Sequence, residues 1–300
     1  MEPKTILLAA LVAVTLTYFA FWFITERQRR SVNAGANEPA APRPADYGIG
    51  IVTNFFDTLG IGSFATSTAA YKVWKLVPDE LIPGTLNVGH AINAVVQSLV
   101  FITVVQVEFK TLVLMIAAAA AGAWLGAGFV SGMSRRTIQL GMGSALLGAS
   151  VIVFAQLTNI VPAGEAMALT GPLLVVGVVG NFILGALMTL GVGLYAPCMV
   201  LVSVLGMNPT AAFPIMMGSC GFLMPVASFQ FIRKGAYSLR AALGLAIGGP
   251  LAVLLAVWLV TSLPTPMVRV LILIVILYTS VTMLRSAAKE RAATLAAARG

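Results

Sequence analysis

Long apolar runs without charge constrain this chain more than any other feature of its sequence. Many are close to the length of about 20 residues that a helix needs to cross a bilayer. Lipid offers no hydrogen bonds to the backbone, so such runs must satisfy their N–H and C=O groups internally as helices. Strands of outer-membrane barrels are shorter, about 10 residues, and alternate in polarity. The runs therefore predict an all-α polytopic membrane protein.

The amino-acid composition supports a membrane protein and argues against a soluble or nucleic-acid-binding one. Hydrophobic residues make up 59% of the 300-residue chain, charged residues only 9%, and the mean hydropathy is +0.97. A soluble chain of this length needs far more charge on its surface. The net charge of +8 comes from Lys and Arg in short loops and tails, so it indicates membrane topology and not a nucleic-acid partner. Cys198 and Cys220 lie in apolar runs, where we interpret them as small hydrophobic residues.

The chain divides into an N-terminal helix, a linker and a duplicated body. The first apolar run, 5–25, is too long for a signal-peptide core, so we expect it to be retained. A polar, Pro-rich segment follows it. The predicted divisions are an N-terminal transmembrane helix at 1–30, a cytoplasmic linker at 31–46, repeat 1 at 47–157, an outer connector at 158–171, repeat 2 at 172–284 and a cytoplasmic tail at 285–300.

Glycine and proline spacing is the evidence for the duplication. Two apolar segments, 48–76 and 172–206, are longer than one span, and each is interrupted by a Gly-x-Gly. The interruptions at Gly60–Gly62 and Gly191–Gly193 are 131 positions apart. The pairs with the same offset are Pro78 and Pro209, Pro83 and Pro214, Leu59 and Leu190, and Ala65 and Ala196. Since Gly and Pro determine backbone geometry, we predict two repeats, each a broken segment followed by three spans.

The distribution of basic residues indicates how the broken segments cross. If each forms a re-entrant hairpin that enters and leaves on one side, 15 of the 18 Lys and Arg residues become cytoplasmic. Only Lys4, Lys110 and Arg269 remain outside. The positive-inside bias therefore favours hairpins over single crossings. In this arrangement the second repeat is inverted relative to the first, which is typical of secondary transporters with the substrate site where the broken helices meet.

Half-helices that begin at the breaks are candidate anion sites. The N-terminus of a helix presents unpaired N–H groups and a partial positive charge. We expect one half-helix to begin after Gly62 and another after Gly193. The predicted substrate-binding residues there are Gly60, Gly62, Ser63, Thr66, Gly191, Gly193 and Tyr195. The alternative is that their polar groups are helix caps or interhelical contacts.

The segment 82–105 adds a polar face. Asn87, His90, Asn93 and Gln97 are spaced by three, three and four residues, which places them on one side of a helix. Polar groups facing lipid are costly, so this side should face the bundle interior. We assign Asn87, His90 and Asn93 to the substrate pathway. His90, the only histidine, is suited to donating a hydrogen bond to an oxyanion or titrating near neutral pH. The alternative is a structural ladder between helices.

Asp57 is the only acid within a predicted membrane segment. A carboxylate at membrane depth is expensive unless it is protonated or paired. One interpretation is that Asp57 binds a coupling proton or cation. The other is that it caps a helix or pairs with His90 or Lys72.

Motifs of several enzyme classes are missing from the sequence. It has no phosphate-binding Gly-x-x-x-x-Gly-Lys-Ser/Thr loop, no His-Glu-x-x-His and no Gly-x-Ser-x-Gly. One histidine excludes a histidine-rich metal or haem site. We therefore expect a protein that is not an enzyme and that has no cofactor or metal.

The duplicated motifs resemble the TauE/SafE family of sulfite and sulfonate permeases. The resemblance rests on Asp57–Ser63, on Ile82–Asn87 and on the second copy at Leu190–Pro197, and it extends over roughly 47–284. It implies transport of small organosulfur anions across the bacterial inner membrane, by export or by uptake. We expect a small anionic solute as partner, a coupling proton or sodium ion, and a cytoplasmic C-terminus. The alternatives are a passive anion channel and a membrane subunit without transport. The oligomeric state stays open.

Overall fold

The computed structural model describes residues 3–32, 41–130, 135–158, 160, 164–188 and 193–297. These residues form eleven α-helices and two short 3-10 helices, at Asp79–Leu81 and Pro209–Ala211, with no strand among them. The α-helices are α1 Pro3–Val32, α2 Pro44–Thr58, α3 Ser63–Val73, α4 Ile82–Val104, α5 Phe109–Val130, α6 Arg135–Leu157, α7 Gly171–Met188, α8 Tyr195–Val204, α9 Ala212–Lys234, α10 Leu239–Ser262 and α11 Thr265–Ala297.

Seven of the described helices are long and apolar enough to cross a membrane. They are α1, α4, α6, α7, α9, α10 and α11. The chain is therefore a multi-pass membrane protein, as its apolar runs predict. In α7, 18 residues give a length of about 27 Å, close to the hydrocarbon thickness of about 30 Å. We had predicted this segment to be half of a hairpin.

Two helices extend further than their apolar runs. The first apolar run covers 5–25 and the predicted N-terminal helix 1–30, whereas α1 continues to Val32. Glu26 forms ion pairs with Arg29 at 3.1 Å and with Arg30 at 3.4 Å, one turn further along the helix. Pairs at this spacing stabilise a helix, so the charged segment remains helical. At the other end, α11 continues through most of the predicted tail, to Ala297.

The chain separates into two compact units. One comprises Met1–Val105 and Met217–Ser262, and the other comprises Gln106–Met216 and Leu263–Gly300. The first unit contains α1 to α4, most of α9, and α10; the second contains α5 to α8 and α11. Each unit therefore combines helices from both predicted repeats.

Glycines bring helices into close contact inside each unit. In the first unit, a Cβ on Gly50 of α2 would lie 2.9 Å from the Gly244 carbonyl oxygen of α10. In the second unit, Gly122 of α5 lies against the Phe182 carbonyl of α7 in the same manner. Small residues permit such contact between backbones, which is how apolar helices associate in lipid.

The order of helices after α1 occurs twice. A helix, a short helix, a 3-10 turn and three longer helices run from α2 to α6 and again from α7 to α11. The two short helices end 131 residues apart, at Val73 and Val204. This is the offset of the Gly-x-Gly motifs in the sequence.

Candidate functional site

The first break is built from two glycines with positive φ. At the end of α2, Gly60 (φ 98°) donates its N–H to the Asp57 carbonyl at 2.8 Å, and Ile61 donates to the Phe56 carbonyl at 3.1 Å. This pair of bonds is the Schellman motif, which favours glycine at the position of Gly60. Gly62 (φ 87°) then precedes the first residue of α3. The break therefore lies where the Gly-x-Gly motif predicts it.

Asp57 caps the second half of the broken segment. Its side chain is 5% exposed. Oδ1 accepts the backbone N–H of Ser63 at 2.6 Å, and Oδ2 accepts from Gln97 Nε2 at 3.0 Å. Gln97 also donates to the Thr58 hydroxyl at 2.9 Å. A carboxylate at a helix N-terminus is favoured both by the unpaired N–H groups and by the helix dipole.

His90 joins three helices of the first unit. Its Nε2 lies 3.0 Å from the Ser67 hydroxyl of α3, and its Nδ1 lies 2.9 Å from Asn54 Oδ1 of α2. Asn54 uses its amide nitrogen to donate to the Gly50 carbonyl at 2.7 Å, so its oxygen acts as the acceptor. His90 Nδ1 must therefore hold a proton, and Nε2 can accept from Ser67. With 1% exposure, His90 is enclosed by these partners.

The polar residues that were predicted to share one face of α4 point in different directions around the helix. At about 100° per residue, Gln97 lies about 20° from His90, but Asn87 and Asn93 lie about 60° to either side. Asn93 donates to the Leu245 carbonyl of α10 at 3.0 Å, and Asn87 donates to the Pro83 carbonyl of its own helix at 2.9 Å. Only His90 and Gln97 therefore turn toward the break.

Thr66 bonds to its own turn of helix. Its hydroxyl donates to the Ser63 carbonyl at 2.9 Å. Ser63 itself is buried, and its backbone N–H is the group that meets Asp57. Of the residues predicted at the first break, Gly60, Gly62 and Ser63 shape the contact with the carboxylate.

The second break is described only in part. Gly191 lies outside the described residues, and Gly193 is exposed without the positive φ of Gly62. Tyr195 is the first residue of α8 and is 6% exposed. The half-helix predicted after Gly193 is therefore present, and its first side chain is buried.

Comparison with protein families decides the class of this chain. Its residues 2–153 match the family described as Sulfite exporter TauE/SafE, which is more than half of the sequence. The chain belongs to the TauE/SafE family. As a family member with seven candidate spans, this TauE/SafE protein is a membrane permease with an anionic small-molecule substrate. No curated protein and no solved structure matches the chain.

The matched range differs from the range of the sequence resemblance. The match begins before α1, whereas we had placed the family-like region at 47–284. It includes the whole first break and ends within α6. The N-terminal helix therefore belongs to the part of this TauE/SafE protein that the family shares.

Several polar residues near the break were not among the predicted site residues. They are Asn54, Thr58, Ser67 and Gln97. Asn54, Asp57 and Thr58 are separated by three and one residues in an otherwise apolar segment, so one side of α2 is polar. This spacing was available in the sequence, but the partners on α3 and α4 were not.

The cluster at the break offers N–H donors to an anionic group. Apart from Asp57, the side chains around the break are neutral amides, hydroxyls and an imidazole. In the described part of the chain no group of three or more His, Cys, Asp or Glu residues is placed to hold a metal ion. The backbone N–H of Ser63 and one side-chain N–H of Gln97 already donate to the carboxylate oxygens of Asp57.

Proposed function

We propose that this TauE/SafE protein is a secondary transporter that exports a small organosulfur anion, such as sulfite or a sulfonate. The family description, Sulfite exporter TauE/SafE, supports the substrate class and the direction. The observation that supports a substrate site at the first break is the hydrogen bond from the Ser63 backbone N–H to the Asp57 carboxylate. A carboxylate carries the same single negative charge as a sulfonate and likewise presents anionic acceptor oxygens, two where a sulfonate has three. The N-terminus of α3 therefore already binds one oxyanion, the Asp57 carboxylate of the same chain.

In the proposed mechanism, the substrate exchanges with Asp57 at this helix end. Two negative charges about 4 Å apart repel by about 4 kcal/mol at an effective dielectric constant of about 20. Loading an anion beside ionised Asp57 is therefore unfavourable, and a proton on Asp57 removes the repulsion. A proton and the anion would then be loaded together and cross as symport, so an outward anion gradient drives export and an inward proton gradient opposes it. The N–H groups of Ser63 and Gln97 bind the anion in this scheme.

Other ionisable groups lie on the elements around α2. These are His90 on α4, Tyr71 and Lys72 on α3, Arg240 on α10, and Asp46 at the far end of α2. Lys72 pairs with Asp79 and Asp46 pairs with Arg43, so their charges are compensated locally. His90 is bonded to Asn54, one turn before Asp57. We therefore assign the coupling proton to Asp57, with His90 as the neighbour that holds the cluster together.

Alternating access in this proposal rests on inverted repeats with re-entrant hairpins. The recurrence of helix order from α2 to α6 in α7 to α11 supports the duplication. The 15 basic residues on one side support the hairpins and a cytoplasmic C-terminus. Single cysteines introduced at positions 72 and 75 should react with a membrane-impermeant thiol reagent from the cytoplasmic side only. Both native cysteines are buried, so we expect them not to react. Reaction from outside would refute the hairpin at the first break.

Reconstituted protein tests the transport proposal. With radiolabelled sulfite or sulfoacetate in proteoliposomes, we expect saturable movement that an imposed pH gradient drives against the anion gradient. Asp57→Asn should lose this concentrative movement but keep exchange of labelled for unlabelled substrate, because exchange needs only the loaded site to reorient. Glu165→Gln removes an exposed acid that pairs with Arg269, and serves as the matched control. It should behave as the unmodified chain.

Three results would contradict the proposal. Flux that follows the anion gradient alone and ignores pH would indicate a channel. Absence of movement for every anion offered would indicate a membrane subunit without transport. Parallel loss of exchange, concentrative movement and thermal stability in Asp57→Asn would indicate that the carboxylate is only a helix cap.

A further inference from the structure

A second candidate anion site lies at the other end of α3. A cavity of about 290 Å³ opens where α3 ends and the chain turns toward the 3-10 helix at Asp79–Leu81. Its walls are formed by Tyr71, Lys72, Lys75, Val77, Pro78 and Asp79. At about 30 Å³ per water molecule, this volume is sufficient for a small oxyanion and part of its hydration shell. None of these residues belongs to the break at Gly60–Gly62.

Tyr71 is one of the residues that line this cavity, and its hydroxyl group is enclosed by protein. Its side chain is 0% exposed, and its hydroxyl has no hydrogen-bond partner among the described residues. A buried polar group without a partner costs about 1–3 kcal/mol, and nearly all such groups in proteins are paired. Because the hydroxyl is fully enclosed, a ligand oxygen would supply the missing acceptor once the cavity deepens toward it on binding.

Lys75 occupies a backbone position that favours glycine. At the end of α3, Leu76 donates its N–H to the Tyr71 carbonyl at 3.0 Å, and Lys75 has φ 50°. At the end of α8, the same bond runs from Met207 to the Val202 carbonyl, and the left-handed residue is Gly206. Lys75 and Gly206 are 131 residues apart, so they are equivalent positions of the two copies. A lysine at this position of the first copy, despite its backbone cost, indicates a role for its side chain.

The charges at the cavity favour an anion. Lys72 pairs with Asp79 at 3.1 Å, and Lys75 has no ion pair among the described residues. The cavity wall therefore holds two ammonium groups against one carboxylate. The loop behind it is held by Arg43, which donates to the Leu76 carbonyl at 3.0 Å and is itself paired with buried Asp46.

We propose that this cavity binds a tetrahedral oxyanion group, a sulfonate or a phosphate, between Lys72 and Lys75, with the Tyr71 hydroxyl as an additional donor. Two sources offer this group: a dissolved organosulfur anion and the phosphate of a lipid headgroup. If the ligand is the dissolved anion, the cavity is where the exported substrate first collects on the cytoplasmic side, an assignment that rests on the proposed function. Binding of the oxyanion itself does not depend on transport.

Lysine NMR distinguishes these sources. The chain has six lysines, and reductive methylation with a labelled methyl donor adds a reporter to each while preserving its charge. The full chain in neutral phosphatidylcholine nanodiscs is titrated with sulfate and with sulfoacetate, and compared with the chain in phosphatidylglycerol nanodiscs. Lys72→Arg and Lys75→Arg assign the two signals. Exposed Lys289 in the C-terminal helix is the internal control.

We expect saturable shifts at Lys72 and Lys75 and none at Lys289. Tyr71→Phe removes only a hydroxyl that has no partner in the described segments, so the protein should fold normally and bind about five- to tenfold more weakly. Shifts with the dissolved anions in neutral lipid identify a substrate-collecting site. Shifts only in phosphatidylglycerol identify a headgroup site.

Equal small shifts at all lysines in both lipids, or unchanged affinity in Tyr71→Phe, would overturn the proposal. Flux measurements on the same variants keep the two proposals separate. Saturable lysine shifts in a chain that moves no anion would leave the cavity site standing and refute the transporter. Normal coupled flux without lysine shifts would refute the cavity site and leave the transporter proposal standing.

Discussion

Gly62 separates the two halves of the first broken segment, and replacing it with alanine tests the geometry of that break. Its backbone has φ 87° and ψ 131°, a combination that side chains with a Cβ rarely adopt. No heavy atom lies within 4 Å of the position that a Cβ would take. The Gly62→Ala substitution therefore changes the backbone preference and introduces no clash.

The expected cost follows from this conformation. A residue held in a sparsely populated backbone region costs about 1–3 kcal/mol. Gly193 is the matched control, because it also has open space around the added Cβ but lacks a positive φ. Gly193→Ala should change stability by less than about 0.5 kcal/mol, or stabilise slightly by restricting the unfolded chain. Because the added methyl group is the same, the difference between the variants isolates the backbone strain.

Thermal unfolding of both purified variants measures this difference. An unfolding entropy of about 2.1 cal/mol/K per residue gives about 0.6 kcal/mol/K for 300 residues. A cost of about 1–3 kcal/mol therefore lowers the melting temperature of Gly62→Ala by about 2–5 °C relative to an unchanged Gly193→Ala. Gly62 also directs the Ser63 N–H toward Asp57, so concentrative flux should fall in Gly62→Ala and persist in Gly193→Ala. Equal melting temperatures and equal flux in the two variants would refute the assigned break geometry.

Two further substitutions test the packing around α4. His90→Leu should lower the free energy of unfolding by at least about 1–3 kcal/mol, because the buried Asn54 oxygen loses its donor; unchanged thermal melting would refute the assigned hydrogen bond. Gly249→Ala places a Cβ against the Asn93 amide and should destabilise by about 1–3 kcal/mol. Asn93→Ala should relieve much of that cost in the double variant, and simple additivity in this thermodynamic cycle would contradict the contact.

Local features of the sequence predicted the breaks well. Gly60 and Gly62 were recognised as interruptions, and the structure ends α2 at Thr58 and begins α3 at Ser63. The reason is that glycine adopts positive φ values without steric cost, so a Gly-x-Gly motif is a local signal for a break. Helix ends defined by hydropathy were less accurate, because the ion pairs of Glu26 keep α1 helical beyond its apolar run.

The partners of the polar residues were not predictable in the same way. The sequence placed Asn87, His90 and Asn93 on one side of a helix, but only His90 turns toward the break. Each bond depends on which helix lies opposite, and the spacing along α4 contains no information about α10. Only the structural alternative for Asp57 included a helix cap, and the structure shows which N–H it caps.

The sequence by itself determined that this chain is a helical membrane protein of the TauE/SafE family, with a glycine break in its first repeat. Lipid requires long apolar runs to be helices, and glycine permits backbone angles that other residues avoid, so both conclusions depend on local chemistry. Only the tertiary structure decided that Asp57 lies on the N-terminus of α3, that His90 joins α2 to α3, and that the Tyr71 hydroxyl has no partner within the described part of the chain. Those facts depend on helices from distant parts of the chain meeting at defined distances, which no local pattern specifies.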